Sequence, residues 1–400
     1  MRPRIYADHA ATTPTRPEAI EAMTEYLRAG AYNPSSQHAE GRRAKAALDE
    51  ARARTARALH AQPREIAFTA GGSESDALAL RGAAYALRAR GKRIVSAASE
   101  HHAVLHTLEA LGEEGFEIVV LPVDAAGRVD PATFARALTP GTILASVMLA
   151  NNELGTLQPV AALAAAARER GVVFHTDAVQ APGRIPLDVD ALGVDLLSLS
   201  AHKFYGPHGV GLLYVRSGTP LRAVIAGGGQ EHGLRAGTEN VAGILGLAVA
   251  LELALKEQPL ESARLTGLRE RFEETLLDQF GGRLRINGRG APRLPNIVSV
   301  SIGGCDAAAL TARLDLDGVA VSTGSACASG AVERSHVLDA IGLPEGLATL
   351  RFSFGRSTGR QEVDALLEML PEVIHATRVD IHSLGTSQRG PETGRPEEPS

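Results

Sequence analysis

Only four of the 41 lysine and arginine residues in this chain of 400 residues are lysines, and Lys203 is one of them. It stands just after a predicted strand, in the run Leu-Ser-Ala-His-Lys-Phe-Tyr-Gly-Pro at residues 199–207. A lysine amine can lose its proton and form an imine with an aldehyde, whereas an arginine guanidinium stays charged. The position therefore indicates a candidate Schiff-base residue, although most single lysines are solvated surface charges.

A glycine-containing run follows another predicted strand. Residues 68–75 read Phe-Thr-Ala-Gly-Gly-Ser-Glu-Ser. Here the predicted strand is followed by two glycines and then by a serine that can cap a helix. Free backbone amides at a helix N-terminus bind anions such as a phosphate. The alternative for this run is an ordinary capped helix after a glycine turn.

Asp177 ends a third predicted strand, in His-Thr-Asp-Ala-Val-Gln at residues 175–180. A carboxylate there could pair with a protonated pyridine nitrogen, which makes the ring an electron sink. It could equally cap the next helix. The chain separation from Lys203 suits two neighbouring strand ends, so the pair points to a pyridoxal phosphate site.

His101, in Glu-His-His-Ala-Val at residues 100–104, also follows a predicted strand. A flat imidazole can stack on a pyridine ring and exchange protons with its ligand. Two adjacent histidines could instead suggest a metal, but the sequence has no second cluster of ligands at a suitable spacing. We therefore expect no metal.

Cys327 is surrounded by small residues, in Ser-Thr-Gly-Ser-Ala-Cys-Ala-Ser-Gly at residues 322–330. This composition predicts a flexible, exposed loop, whereas a structural cysteine is usually buried among apolar neighbours. A nucleophilic cysteine needs access and a stabilised thiolate. The second cysteine, Cys305, is interpreted as a small residue at a strand end.

The composition excludes several classes of function. A net charge of −5 without a basic block gives no reason to expect nucleic acid or an anionic membrane as a partner. The N-terminus has no apolar stretch typical of a signal peptide. The longest apolar run, residues 241–251, is short of the roughly 20 residues that span a membrane and predicts a buried helix. Two cysteines are too few for a disulfide framework, so we expect a cytoplasmic protein.

The first two-thirds of the chain alternates short apolar strands with helix-length segments. This pattern predicts a mostly parallel sheet covered on both faces, with ligands bound beyond the carboxyl ends of its strands. The predicted strands are 66–68, 93–97, 118–122, 143–149, 172–176, 196–199 and 211–215. The predicted helices between them include 73–90, 102–114 and 159–170.

The last third predicts a smaller α+β domain. Its elements are a charged helix at 260–277, β-rich runs at 297–302, 319–322 and 348–354, and a final helix at 360–375. From about residue 383 the chain has almost nothing apolar, which predicts disorder. The predicted divisions are an N-terminal segment packing with the small domain (1–14), a large domain (15–258), a small domain with the cysteine loop (259–378) and a disordered tail (379–400).

An ordered set of motifs from about Tyr6 to about Leu370 resembles the cysteine desulfurase family of the NifS/IscS type. This family belongs to the class V group of fold-type I pyridoxal phosphate enzymes. The matching runs lie at residues 6–8, 10–14, 33–38, 100–104, 151–155, 177–180, 200–203, 227–231, 235–240 and 324–327. Residues 327–336 resemble the long cysteine loop of the IscS-like branch.

The resemblance implies a fold-type I architecture, with a seven-stranded, mostly parallel sheet and a smaller α+β domain. It also implies pyridoxal 5′-phosphate as cofactor and assigns a role to each matching residue. Lys203 would form the imine and move the substrate Cα proton, and Arg351 with Asn152 would bind the substrate carboxylate. Around the cofactor ring, Asp177 would pair with the nitrogen, His101 would stack on the face, and Asn152 and Gln180 would approach the phenolic oxygen. The phosphate would be held by Gly72, Ser73, Ser200 and His202, and Thr238 would reach the partner subunit's phosphate in a homodimer.

The implied reaction converts L-cysteine to L-alanine and leaves a persulfide on Cys327. The sulfur would then pass to an acceptor protein, such as an iron–sulfur scaffold or a thiolation carrier. Selenocysteine lyase, another class V aminotransferase and a sulfur carrier without catalysis are the alternatives. Cys327 argues against an aminotransferase, and the joint presence of Lys203, Asp177 and His101 argues against an inactive carrier.

Overall fold

The computed structural model describes residues 4–323 and 334–378, and within them the strands form three sheets. The strands are β1 (Ile5–Tyr6), β2 (Ile66–Thr69), β3 (Arg93–Ala97), β4 (Glu117–Leu121), β5 (Thr142–Ser146), β6 (Val173–Asp177), β7 (Leu196–Ser200), β8 (Gly211–Val215), β9 (Leu284–Asn287), β10 (Ile297–Gly303), β11 (Val319–Ala320) and β12 (Leu347–Ser353). The helices are α1 (Pro17–Arg28), α2 (Ala39–Leu59), α3 (Gly72–Leu87), α4 (His102–Glu113), α5 (Pro131–Ala137), α6 (Val160–Glu169), α7 (Val189–Leu192), α8 (Val241–Phe280), α9 (Ala307–Leu316), α10 (His336–Ala340) and α11 (Arg360–Ala376).

The largest sheet has seven strands in the order β2-β8-β7-β6-β5-β3-β4. Strand β8 runs antiparallel to both of its neighbours, and the remaining pairs are parallel. Strands β2, β5, β6, β7 and β8 are buried along their whole length. Such continuous burial is typical of strands covered on both faces. The predicted mostly parallel seven-stranded sheet is confirmed, with no strand end shifted by more than three residues.

Helix α8 joins two stretches that the sequence suggested as separate helices. Its first half packs Leu247 and Leu251 into the core around the large sheet, and its second half packs Leu265 and Phe272 into a second core. Pro259 lies inside the helix, between these halves. A proline in a helix interior removes one backbone hydrogen bond, and burial of both flanking halves offsets that loss.

The second core is built on the three-stranded antiparallel sheet β12-β10-β9. Phe272 of α8 meets Phe352 and Phe354 edge-on at its centre. Strand β1 pairs in parallel with β11, and Asp8 bridges to Ser353, so the N-terminal segment lies against this sheet. The short strand β9 was not anticipated from the sequence.

Two expectations concern residues outside the described part of the chain. The predicted disordered tail, 379–400, and Cys327 both lie there. Within residues 4–323 and 334–378, the structure has no helix that is both long and apolar enough to cross a membrane.

Candidate active site

A cavity of about 440 Å³ lies at the carboxyl ends of the parallel strands, where sheets of this kind bind ligands. Most of the predicted site residues line it: Gly72, Ser73, His101, Asn152, Asp177, Gln180, Ser200, His202, Lys203 and Arg351. Thr238 lies on an exposed segment and does not line this cavity. Cys327 is outside the described residues.

Lys203 reaches the cavity from a short helical turn that follows β7. Its Nζ donates to the backbone oxygens of Ala10 at 2.8 Å and Ala11 at 2.7 Å. These two residues belong to the N-terminal segment, which thereby forms one wall of the cavity. Gln180 Nε2 also donates to the oxygen of Ala10, at 3.0 Å.

Asp177 is the last residue of β6 and lies opposite Ser198 of β7, the strand that leads into Lys203. Its Oδ1 accepts a hydrogen bond from the backbone N–H of Val179 at 2.9 Å. Burial raises the pKa of Asp177 to about 6, although the Val179 N–H and the Lys203 charge oppose this rise. The ionised form of such a buried carboxyl group is stabilised by a cationic hydrogen-bond donor, such as a protonated pyridine nitrogen.

His101 is the N-cap residue of α4, and its Nδ1 accepts the backbone N–H of Ala103 at 3.1 Å. In the neutral ring the proton must then be on Nε2, by assignment from this hydrogen bond. Burial and the Lys203 charge lower the pKa of His101 to about 4. A second proton on Nδ1 would break the helix cap, so this ring donates from Nε2 and is a poor proton acceptor.

Backbone amides at the start of α3 face Ser200 across a gap that glycine keeps open. A Cβ on Gly72 would approach Val179 Cγ2 to 3.0 Å and Ser200 Cβ to 3.5 Å. Gly71, with φ of 157°, brings the chain into the helix. This helix N-terminus, with the Ser73 and Ser200 hydroxyls beside it, has the donors and the space that a phosphate needs.

Arg351 is only 2% exposed and is held from two sides. Its Nη1 donates to the oxygen of Asn152 at 2.9 Å, and its Nη2 donates to Asp8 Oδ1 at 2.9 Å. Its Nε has no hydrogen-bond partner among the residues that the structure describes. A buried guanidinium with an unsatisfied donor suits a carboxylate ligand.

The structure adds cavity residues that the motifs did not single out, above all Glu153, Ser335 and His336. Glu153 Oε2 accepts the Ser335 hydroxyl at 2.6 Å across 182 positions of sequence. His336 Nε2 donates to the oxygen of Glu100 at 2.8 Å, and its Nδ1 accepts from His102 Nε2 at 2.9 Å. Glu153 does follow Asn152 in a matching run, but no spacing rule predicts its contact with Ser335.

Metal ligation has no support in the described residues, which contain no cluster of three or more histidine, cysteine or carboxylate groups able to hold an ion.

The profile of the family described as Aminotransferase class-V matches residues 5–366. A cysteine desulfurase IscS of Dictyoglomus turgidum is 48% identical over 384 residues, covering 94% of this chain and 96% of that protein. A cysteine desulfurase IscS of Methanosarcina thermophila is 45% identical over 376 residues, covering 94% and 93%.

Solved structures agree with these relatives. A NifS-like protein superposes with a TM-score of 0.87 at 36% identity, covering 93% of this chain and all of that one (100%). A structure of SspA in complex with cysteine superposes with a TM-score of 0.77 at 34% identity, covering 88% and 98%. The resemblance and fold class that the motifs implied are confirmed. The chain belongs to the class V aminotransferase family and, within it, to the cysteine desulfurases, which depend on pyridoxal phosphate.

Proposed function

We propose that this chain removes the sulfur of L-cysteine, releases L-alanine and keeps the sulfur as a persulfide on Cys327. The observation that carries the proposal is the convergence of Lys203, Asp177 and His101 in one cavity at the sheet edge. These groups follow three different strands, and a purely structural role for each of them would not explain why they meet in one cavity. The desulfurase relatives fix the reaction class, because the cavity alone would also suit an aminotransferase.

Pyridoxal 5′-phosphate fits the groups that line this cavity. We infer that Lys203 holds its aldehyde, Asp177 its ring nitrogen, and the start of α3 with Ser200 and His202 its phosphate. The close approach of the chain at Gly72, which a Cβ would crowd, and the buried carboxyl of Asp177 support this inference. When bound, the cofactor supplies an electron sink for negative charge that develops at the substrate Cα.

The protein's own groups position and protonate the substrate. We infer that Arg351 and Asn152 bind its carboxylate, since the Arg351 Nε is unsatisfied and its other nitrogens are already fixed. Lys203 takes the Cα proton once its amine is released. His101 donates a hydrogen bond from Nε2 and does not accept a proton there. The Cys327 thiolate attacks the substrate sulfur.

The division of the chain into domains follows the two cores. We propose a large domain at 15–258 and a small domain at 259–378, with the boundary near Pro259 of α8, and with residues 1–14 packed on the small domain. The exposed position of Thr238 supports a homodimer in which it reaches the partner's phosphate. A persulfide-forming thiol requires a reducing compartment, which favours the cytoplasm, and a sulfur-acceptor protein to receive its product.

The test is a single turnover with L-cysteine and no reductant, followed by intact-mass analysis. Wild type should gain one sulfur atom and release alanine, whereas Cys327→Ala should gain none. Cys305→Ala is the matched control and should behave as wild type, because Cys305 lies half-buried against α11, with its Sγ near the oxygen of Ile374. No sulfur gain in wild type, together with a shift in the cofactor spectrum, would contradict the proposal and favour an aminotransferase.

A further inference from the structure

Asp8 forms an ion pair with Arg351, the arginine that we assign to the substrate carboxylate. Its Oδ1 accepts a hydrogen bond from Arg351 Nη2 at 2.9 Å. The Arg351 side chain is 3% exposed and the Asp8 side chain 19%. Arg351 lines the cavity, whereas Asp8 does not. The guanidinium charge that an incoming carboxylate would meet is therefore already partly balanced from the protein side.

The other groups around Arg351 balance its charge less well. Its Nη1 donates to the neutral backbone oxygen of Asn152 at 2.9 Å. Burial raises the pKa of Glu153 to about 7, and the Ser335 hydrogen bond and the Arg351 charge only partly oppose this rise. The charged form of Glu153 is thus disfavoured, whereas an arginine guanidinium keeps its charge in proteins. Among the described residues, Asp8 is the carboxylate that holds this charge by a direct hydrogen bond.

Backbone hydrogen bonds, and not the Asp8 side chain, attach the N-terminal segment to β12. Ser353 N–H donates to the oxygen of Ala7 at 2.7 Å, and His9 N–H donates to the oxygen of Ser353 at 3.1 Å. Ala10 N–H donates to Ser353 Oγ at 2.9 Å. An asparagine at residue 8 would keep all of these bonds and remove only a charge. The segment should therefore stay in place when the Asp8 carboxylate is lost.

We propose that Asp8 sets the affinity of the site for amino acids by competing with their carboxylate for the charge of Arg351; this role rests on the proposed function. In the empty site, Asp8 compensates the buried guanidinium. A bound amino acid brings a second carboxylate to the same guanidinium, and two like charges beside one cation repel each other. Substrate and product carry the same carboxylate, so Asp8 weakens the binding of both. The consequence is faster release of L-alanine, which an uncompensated arginine would retain.

The first test compares L-alanine with ethylamine, which has a hydrogen in place of the carboxylate. Each amine is titrated into the holoenzyme, and the change in the cofactor spectrum gives its dissociation constant. Asp8→Asn should bind L-alanine about 10-fold more tightly than wild type, because a repulsive charge is removed. Its affinity for ethylamine should stay within about twofold of wild type, since this ligand has no charge to repel. A merely structural disturbance at residue 8 would weaken the binding of both amines instead.

Two further variants show whether the effect acts through Arg351. Asp315→Asn is the matched control, because Asp315 pairs with Arg4 of the same N-terminal segment on the exposed surface; it should leave both affinities unchanged. In an Arg351→Met background, Asp8→Asn should no longer affect the two amines differently. The proposal is wrong if Asp8→Asn does not tighten L-alanine binding, if the effect persists without Arg351, or if the wild-type spectrum does not respond to L-alanine.

Urea unfolding of the cofactor-free protein is a readout that needs neither ligand nor turnover. Asp8→Asn should unfold at a lower urea concentration than wild type, because Arg351 would keep a buried charge without its counter-charge. Asp315→Asn should unfold with wild type, because its pair is exposed. Equal midpoints for wild type and Asp8→Asn would overturn the proposal.

Persulfide formation in a single turnover tests the proposed function separately. Its failure in wild type would reject that function. Normal persulfide formation in wild type, together with an unchanged L-alanine affinity in Asp8→Asn, would reject only the role of Asp8.

Discussion

A buried ion pair connects β2 to the segment that carries Thr238, and we expect its loss to destabilise the protein. Arg52 of α2 donates from Nη1 and Nη2 to the two carboxylate oxygens of Glu231, each at 2.7 Å. The two side chains are only 8% and 2% exposed. Glu231 also accepts the backbone N–H of Phe68 in β2 at 2.8 Å, and Arg52 donates to the oxygen of Ile66 in the same strand.

Glu231→Gln would leave the Arg52 charge buried without a counter-charge. Removing one partner of such a pair typically costs about 3–5 kcal/mol. Glu231 and the following His232 both have left-handed φ values, 48° and 58°, which these side chains adopt at an energetic cost. The segment should therefore relax once Glu231 no longer anchors it, and cofactor affinity should fall because β2 leads into the Gly72 turn.

Urea unfolding of the cofactor-free protein measures the stability loss, and equilibrium dialysis of the cofactor measures the affinity. Glu50→Gln is the matched control, because Glu50 pairs with Arg57 on the exposed surface of the same helix and should contribute about 0–1 kcal/mol. Replacing both buried partners, as Arg52→Met with Glu231→Leu, should recover more than half of the loss. A loss below about 1 kcal/mol in Glu231→Gln, or no recovery in the double variant, would refute the reasoning.

Three further predictions follow from the cavity. Gly72→Ala should weaken cofactor retention and cost about 1 kcal/mol in stability, because its Cβ meets Val179 at 3.0 Å; Gly267→Ala, in open space on α8, should instead stabilise by about 0.5–1 kcal/mol and leave the cofactor bound. Lys203→Ala should abolish both the imine absorbance and sulfur release; sulfur release at the wild-type rate would contradict its role. Glu153 has a folded-state pKa of about 7 against an ordinary 4.5, so the folded state binds the extra proton. Wild-type stability relative to Glu153→Gln should be highest below pH 4.5 and fall by about 3 kcal/mol as the pH rises through 7, measured by urea unfolding at each pH.

Short sequence patterns predicted the strands of the large sheet and the residues at their carboxyl ends. Strands such as β8 are continuous apolar runs. The carboxyl ends of the parallel strands β6 and β7 must share one edge of the sheet, so Asp177 and Lys203 were expected to meet. The structure joins residues 241–251 and 260–277 into the single helix α8, which was not predicted. In the sequence alone, Pro259 suggests that the helix ends there. The helix continues because the halves on both sides of Pro259 are buried, and the sequence pattern does not show this burial.

Contacts between distant side chains were the main part that could not be predicted. Asp8 lies in a matching motif, yet its pairing with Arg351 depends on how the N-terminal segment crosses onto β12. The Ser335–Glu153 bond likewise depends on the placement of α10 against the cavity. Such pairs are set by tertiary packing, and neither periodicity nor spacing carries information about them.

The buried groups beneath the cavity give a physical reason for concentrating charge at Asp177. Burial raises the pKa of both Asp76 and Glu100 well above the ordinary range, with the Asp177 charge adding to this rise, and burial lowers the pKa of His175 to about 3. These shifts disfavour the charged form of all three side chains. Asp76 lines the cavity, and His175 is hydrogen-bonded to Ser146 and Ser198 in the interior. Surroundings that disfavour further charge make a cationic ring nitrogen a favourable partner for the Asp177 carboxylate.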